Sequence, residues 1–305
     1  MAFAAKMIRP RTAVLFLMVA ALIGEIVARA WLGLGTPPLF VPHPTIEYMY
    51  KPGQDVMRFG NRQLYNELGM RNLPLASFGN REVVMVFGDS VLNGGAQTDH
   101  QNLATSLLTN DRVVYANISA GSWGPQNMAA YWTEFRKLLP YKKAILVLNS
   151  HDIADIPSFA PLDPAEHPTQ APTFALLEGV QRYLPRYLPA GWFGRPSAAQ
   201  ELPSIARTQL GEQGVHRLIE QFRRDGVSLC AVRHYTVPEM RNGPEPGDSA
   251  LRSVLEKHAL PVVDLRRHYP PGAGKETFFR DDIHFNDAGQ AILAKAVAEC
   301  ASIME

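Results

Sequence analysis

Val83-Val84-Met85-Val86-Phe87 runs apolar without interruption and stops at Gly88-Asp89-Ser90. A stretch with no polar alternation suits a strand buried on both faces, and such strands belong to parallel sheets covered by helices. Similar runs recur at Arg112–Ala116, Ala144–Leu148, Val227–Val232 and Pro261–Leu265. Helical stretches lie between them, near 101–109, 126–139, 204–224 and 247–258, with a last one from about Asp287 to Met304. This alternation predicts an α/β fold, a five-stranded parallel sheet with helices on both faces. Any site belongs at the carboxyl ends of the strands.

The domain is taken as residues 81–305 with an insertion at 155–203, and both the stretch before it and the insertion change character. Residues 34–80 are rich in Pro and Gly and read as an irregular lead-in with short strands. Nine prolines between Pro157 and Pro203 exclude a long helix or a central strand there. Phe159, Phe174, Tyr183, Tyr187, Trp192 and Phe193 argue against disorder. Residues 155–203 are therefore an ordered insertion, either a substrate-shaping lid over the carboxyl edge or a structural flap.

Residues 1–33 form a separate segment. Lys6, Arg9 and Arg11 precede the uncharged apolar run Ala13–Gly24, and apolar character resumes after Glu25 through Trp31-Leu32. Two readings fit: a secretory signal cut after Ala28-Arg29-Ala30, or an uncut membrane anchor with Glu25 and Arg29 near its outer end. The resumed apolar stretch tips the balance slightly toward the anchor. Both place the basic end in the cytoplasm and the rest in the periplasm or another extracytoplasmic space.

Composition narrows the class. Of 305 residues, 46 % are hydrophobic, which supports a sizeable core. Thirty basic against 29 acidic side chains give a net charge of +1, which is no footprint for nucleic acid. Cys230 and Cys300 are too few for a disulfide scaffold; they either pair in an oxidising compartment or stay as buried thiols. The histidines outside the stretches discussed below lack zinc-type spacing, so neither metal nor cofactor is expected.

The chemistry concentrates at two distant stretches. Ser90 follows a buried strand, where a hydroxyl is exposed at the sheet edge near free backbone N–H groups. The pattern is not the Gly-x-Ser-x-Gly elbow, since Leu92 stands two residues on. Near the other end, Asp281-Asp282-Ile283-His284-Phe285-Asn286 leads into the last helix. A serine needs a base, which His supplies near neutral pH, and the base needs an acceptor that fixes its tautomer. Asp281 and His284, three apart in a turn, can face the same side, while Asn286 suits the N-cap of the final helix.

The Gly88-Asp89-Ser90 block combined with Asp281-x-x-His284 resembles the SGNH (GDSL-type) hydrolase superfamily over about residues 80–304. The resemblance implies a flavodoxin-like three-layer α/β/α sandwich, with Ser90 as nucleophile, His284 as base and Asp281 as orienting carboxylate. It also implies an oxyanion donor after the second strand, where Gly121 matches best and Gly124 is the alternative. The third block departs from the family's Gly-x-Asn-Asp: this chain reads Asn149-Ser150-His151-Asp152. Aligned on the Asp, His151 replaces the oxyanion-hole Asn and can itself donate. Two alternatives stand beside it: Asn149 supplies the amide, or the hole lacks one donor. Asn66-Glu67-Leu68-Gly69-Met70-Arg71 is similar to the lead-in of exported members that act on glycans.

The implied function is an extracytoplasmic serine esterase acting on O-acetyl esters of a polysaccharide or cell-wall glycan through an acyl-enzyme. The implied partners are an acylated glycan or other ester, the membrane through the N-terminal helix, and exopolysaccharide biosynthesis proteins. Three alternatives remain: a glycan O-acetyltransferase using the same triad, a non-catalytic assembly or binding subunit on a decayed hydrolase scaffold, and a membrane lipase.

Overall fold

The computed structural model describes residues 10–184, 204–272 and 274–305. The expectations placed on Lys6, Arg9, Tyr187, Trp192 and Phe193 lie outside these residues. The chain opens with helix α1 (Pro10–Ala30), then two antiparallel hairpins, β1 (Phe40–His43) with β2 (Glu47–Tyr50) and β3 (Gln54–Arg58) with β4 (Asn61–Tyr65). The α/β core follows in the order β5 (Glu82–Gly88), α2 (Ser90–Asn93), α3 (Ala104–Leu108), β6 (Val113–Ser119), α4 (Pro125–Phe135) and β7 (Lys143–Leu148). After α5 (Ala175–Glu178) and α6 (Ser204–Arg224) come β8 (Ser228–Arg233), α7 (Val237–Asn242), α8 (Pro246–Lys257), β9 (Val262–Asp264) and α9 (Asp287–Ile303).

Across the main sheet the order is β6-β5-β7-β8-β9, every neighbouring pair parallel. Renumbered within the sheet this is 2-1-3-4-5, the flavodoxin-like winding. Period-two alternation then divides the core. Val83, Met85 and Phe87 join a cluster with residues of α4, α6 and α8, while Val84 and Val86 join one with residues of α2, α3 and α9. The strand order reverses between β5 and β7, so the crevice for a ligand opens at the carboxyl ends of those two strands.

The lead-in is more regular than its Pro and Gly content suggests. Pro42 sits inside β1, a position open to it because a two-stranded ribbon consists of edges. Gly53 and Gly60 take the left-handed turns around β3.

Cys230 on β8 and Cys300 on α9 are fully buried and joined as a disulfide, with Cα atoms 5.6 Å apart. Closing a loop across 70 residues of sequence stabilises the fold by about 4 kcal/mol in the chain-entropy description. Cys300→Ser is therefore expected to lower Tm by about 10 °C. Calorimetry with and without reductant checks this: reductant should lower wild-type Tm and leave the variant unmoved.

Candidate active site

The first segment of the site grows out of β5. A Cβ added to Gly88 would lie 2.8 Å from Cβ of Leu92, so only glycine lets α2 fold back this close to the strand end. Asp89 caps α2 by accepting from Val91 N–H at 2.8 Å. Ser90 is left as the first helical residue, half-buried.

Across the crevice, Asn286 caps α9 by accepting from Gly289 N–H, and the preceding loop is closed by Arg280 N–H on the carbonyl of His284 at 3.0 Å. Further anchors are Val237 N–H on the carbonyl of Asp282 and the His234 ring on that of Ile283. This rigid loop carries Asp281 and His284. His284 Nε2 lies 2.9 Å from Ser90 Oγ, and Nδ1 lies 2.8 Å from Asp281 Oδ2. Asp281 Oδ1 meanwhile accepts from the backbone N–H groups of His284 and Ile283, at 2.7 and 3.0 Å. Burial alone would raise the Asp281 carboxyl, but the His284 ring and these two amides hold it well below the ordinary carboxylate range. Alcohol, imidazole and carboxylate thus stand in line, joined from segments 194 residues apart.

Gly121 lies two residues past β6, and a Cβ built on it would sit 3.9 Å from Cβ of Ser90. Among the described residues no hydrogen bond engages the N–H of Ser90 or of Gly121, so both remain available to an incoming group. Gly124 is different. Its N–H donates to Asn127 Oδ1 at 3.0 Å, and a Cβ there would strike the carbonyl of Asp155, so its smallness serves packing.

The third block is occupied otherwise than the sequence led us to expect. His151 Nε2 is 2.9 Å from Glu245 Oε2, and its side chain is about half exposed. Glu245 Oε2 also accepts from the hydroxyls of Ser150 and Thr236, so an anchored carboxylate holds the imidazole away from the role foreseen for it. Asn149 is engaged as well: its amide donates to Asp89 Oδ2 at 3.1 Å and Asp152 Oδ1 at 3.2 Å. The Asn149 amide is thus held by two carboxylates and His151 Nε2 by a third.

The Asn149 amide bridges two buried carboxylates beneath the nucleophile turn. Burial raises both, Asp152 far above its ordinary range, with the nearness of Asp89 adding to the effect. Asp155, three residues on, is pushed up to about 7 by burial and by Asp89. Between roughly pH 4 and pH 7 the folded chain holds a proton at Asp155 that the unfolded chain releases, so this group's contribution to stability falls as pH rises. Asp155→Asn is expected to raise Tm relative to wild type at pH 8 but not at pH 4. Parallel melting curves would expose the error if the difference were independent of pH.

Two supports went unread in the sequence. Tyr48 on β2 donates its hydroxyl to the carbonyl of Gly121 at 2.6 Å, while Trp123 Nε1 donates back to the carbonyl of Tyr48, so a lead-in hairpin braces the Gly121 turn. Arg71 is fully buried and grips the carbonyls of Asn93, Gly95 and Thr98, fixing the loop that leaves α2. The only signal for it was its place in the Asn66–Arg71 lead-in.

The described part of the insertion, residues 155–184, divides in two. Residues 155–167, with Tyr48 and Ser122, line a cavity of about 230 Å³ beside the Gly121 turn, whereas residues 173–184 pack on α1 and the loop after it.

No protein-family profile and no curated protein matches the chain. Solved structures of similar architecture include a lipolytic protein of the G-D-S-L family from Veillonella parvula, at 13 % identity and TM-score 0.42, covering 72 % of this chain and 98 % of that one. An acetylxylan esterase from Geobacillus stearothermophilus aligns at 11 % identity and TM-score 0.46, covering 72 % and 93 %. A further acetyl xylan esterase gives 12 % identity and TM-score 0.46 over 71 % and 98 %.

Proposed function

We propose that the chain is a serine ester hydrolase of the SGNH type, held at the outer face of a membrane and acting on O-acetyl esters of a glycan. One observation carries the enzymatic part: the continuous Ser90–His284–Asp281 hydrogen-bonded relay at the carboxyl ends of the strands. In the proposed reaction His284 Nε2 takes the Ser90 proton as Oγ attacks the ester carbonyl. The N–H groups of Ser90 and Gly121 receive the developing oxyanion. His284 then protonates the departing sugar oxygen, and water, deprotonated by the same ring, releases acetate from the acyl-enzyme.

The substrate class is supported by the neighbouring cavity. It is small, and Glu47, Asp155, Asp163 and Glu166 lie in its wall, a lining suited to hydroxyl groups rather than to a long acyl chain. The extracytoplasmic location is supported by the Cys230–Cys300 disulfide, since such bonds persist in oxidising compartments. Retention of α1 as an anchor is supported by its polar ties to the folded domain. Glu25 accepts from the N–H groups of Ala175 and Leu176, and Arg29 donates to the carbonyl of Thr173. Cleavage after Ala30 would remove both Glu25 and Arg29 from these three backbone groups.

A fluorophosphonate probe, combined with acetate release from an acetylated polysaccharide, tests the reading. Labelling should map to Ser90 and compete with substrate. A chain that neither takes the probe nor releases acetate is not an esterase.

A further inference from the structure

The second half of the insertion turns an apolar face outward beside the membrane helix. α5 continues without a break into a π-helical turn, Gly179–Tyr183, so residues 175–183 form one rod. Its inward side carries Ala175, Glu178 and Gly179; the first two are buried, and a Cβ on Gly179 would touch Leu34. Leu176, Leu177, Val180 and Leu184 occupy the other side within an arc of about 100°. They are 39–44 % exposed. Phe174 just before the rod is 58 % exposed, and Trp31 at the end of α1 is 79 % exposed.

This rod cannot roll over to hide the stripe. Glu178 is buried in an ion pair with Arg58 at 2.6 Å, and its other oxygen accepts from Gly35 N–H at 2.6 Å. Arg58 also donates to the Tyr183 hydroxyl at 2.8 Å, and Arg182 adds a second cation at 3.1 Å. Breaking such a buried pair by rotation would strand a charge away from water. At its start the rod is fixed to α1. The N–H groups of Ala175 and Leu176 meet the Glu25 carboxylate at 2.8 and 3.0 Å, and Leu176 would lie 3.4 Å from a Cβ at Gly24. Glu25 stands five residues before the end of α1, about 8 Å along the axis. If α1 crosses the bilayer, the rod's first turn lies at headgroup depth.

We propose that residues 174–184 are a second membrane contact: an amphipathic helix lying in the plane of the bilayer interface, locked to the span at Glu25. This rests on the anchor reading above. The occupant of the stripe is lipid rather than a soluble protein, because the stripe is continuous with a helix whose own apolar side chains, from Val14 to Val27, are exposed all round. Rich apolar faces of this kind bury into the headgroup–acyl boundary. Two contacts instead of one would fix the orientation of the catalytic crevice relative to the membrane.

The native cysteines are paired and buried, so an introduced cysteine can be labelled alone. The full chain, one copy per lipid nanodisc, would carry an environment-sensitive dye at Phe16→Cys in the span, at Leu177→Cys or Val180→Cys in the stripe, or at exposed Leu138→Cys as a water control. Nitroxide lipids labelled near the headgroup or deep in the tail then report depth. We expect the dyes at 177 and 180 to shift to the blue and to be quenched most by the shallow nitroxide, the dye at 16 by the deep one, and the dye at 138 by neither. If 177 and 180 behave like 138 while 16 is quenched, the in-plane helix is overturned and the span stands. If 16 also reads as water, both fall. Circular dichroism confirms that each variant is folded.

Discussion

Ser90→Ala is expected to lower turnover of acetylated substrate by on the order of 10⁶-fold and to abolish fluorophosphonate labelling. Oγ, the group aligned on the His284 ring, is the only heavy atom the substitution removes, and α2 keeps its Asp89 cap. The fold should be unaffected. His284→Ala should cost about as much, and the double variant no more than either, because a nucleophile without its base and a base without its nucleophile are equally idle. What activity is left would come from the two backbone donors, which neither change disturbs. Steady-state acetate release with a folded-state check by calorimetry suffices. Wild-type turnover by the Ser90 variant would take the hydroxyl out of the reaction and leave the relay as loop architecture.

Much of this was readable from residues. Five apolar runs gave the strands of the parallel sheet because strands buried on both faces need no polar alternation. β6 runs three residues further than its apolar core, to Ser119, because buried polar side chains replace hydrophobic ones there: Asn117 donates to the carbonyl of Leu92, and Ser119 bonds to Asn117. The joining of Ser90 to His284 and Asp281 was inferable as a pairing of motifs, one directly after β5 and the other in the loop that leads into α9. The role of the third block was not. Whether His151 faces the nucleophile or Glu245 depends on a residue 94 positions away, which local pattern does not encode. Tyr48 and Arg71 were hidden for the same reason: each acts through a carbonyl of a loop that only the tertiary fold brings near. The division of residues 155–184 into two parts was not legible, because the partner that holds residues 173–184 is the N-terminal helix.

Asp281→Asn is expected to be more damaging than Asp281→Ala, although it is the smaller change. In the wild type the two carboxylate oxygens have separate tasks. Oδ1 takes the amides of Ile283 and His284 and lies 3.0 Å from His284 Nδ1, while Oδ2, with no backbone donor on it, makes the shorter contact to Nδ1 at 2.8 Å. An asparagine that keeps its single carbonyl oxygen on those two backbone donors turns its NH₂ into the place of Oδ2, the nearer of the two to Nδ1. Nδ1 must then accept, so the ring proton moves to Nε2, and the face presented to Ser90 becomes a donor instead of a base. A drop of about 10⁴-fold in turnover is expected from that tautomer. Alanine imposes no such choice: Asp281 is about half exposed, so water can take its place at Nδ1 and the productive tautomer stays accessible. Comparing the two variants on the same substrate separates tautomer control from simple loss of charge. Equal losses would mean that Asp281 contributes only its field, and a milder Asn variant would show that the carbonyl oxygen, 3.0 Å from Nδ1 in the wild type, holds the ring proton in place of Oδ2.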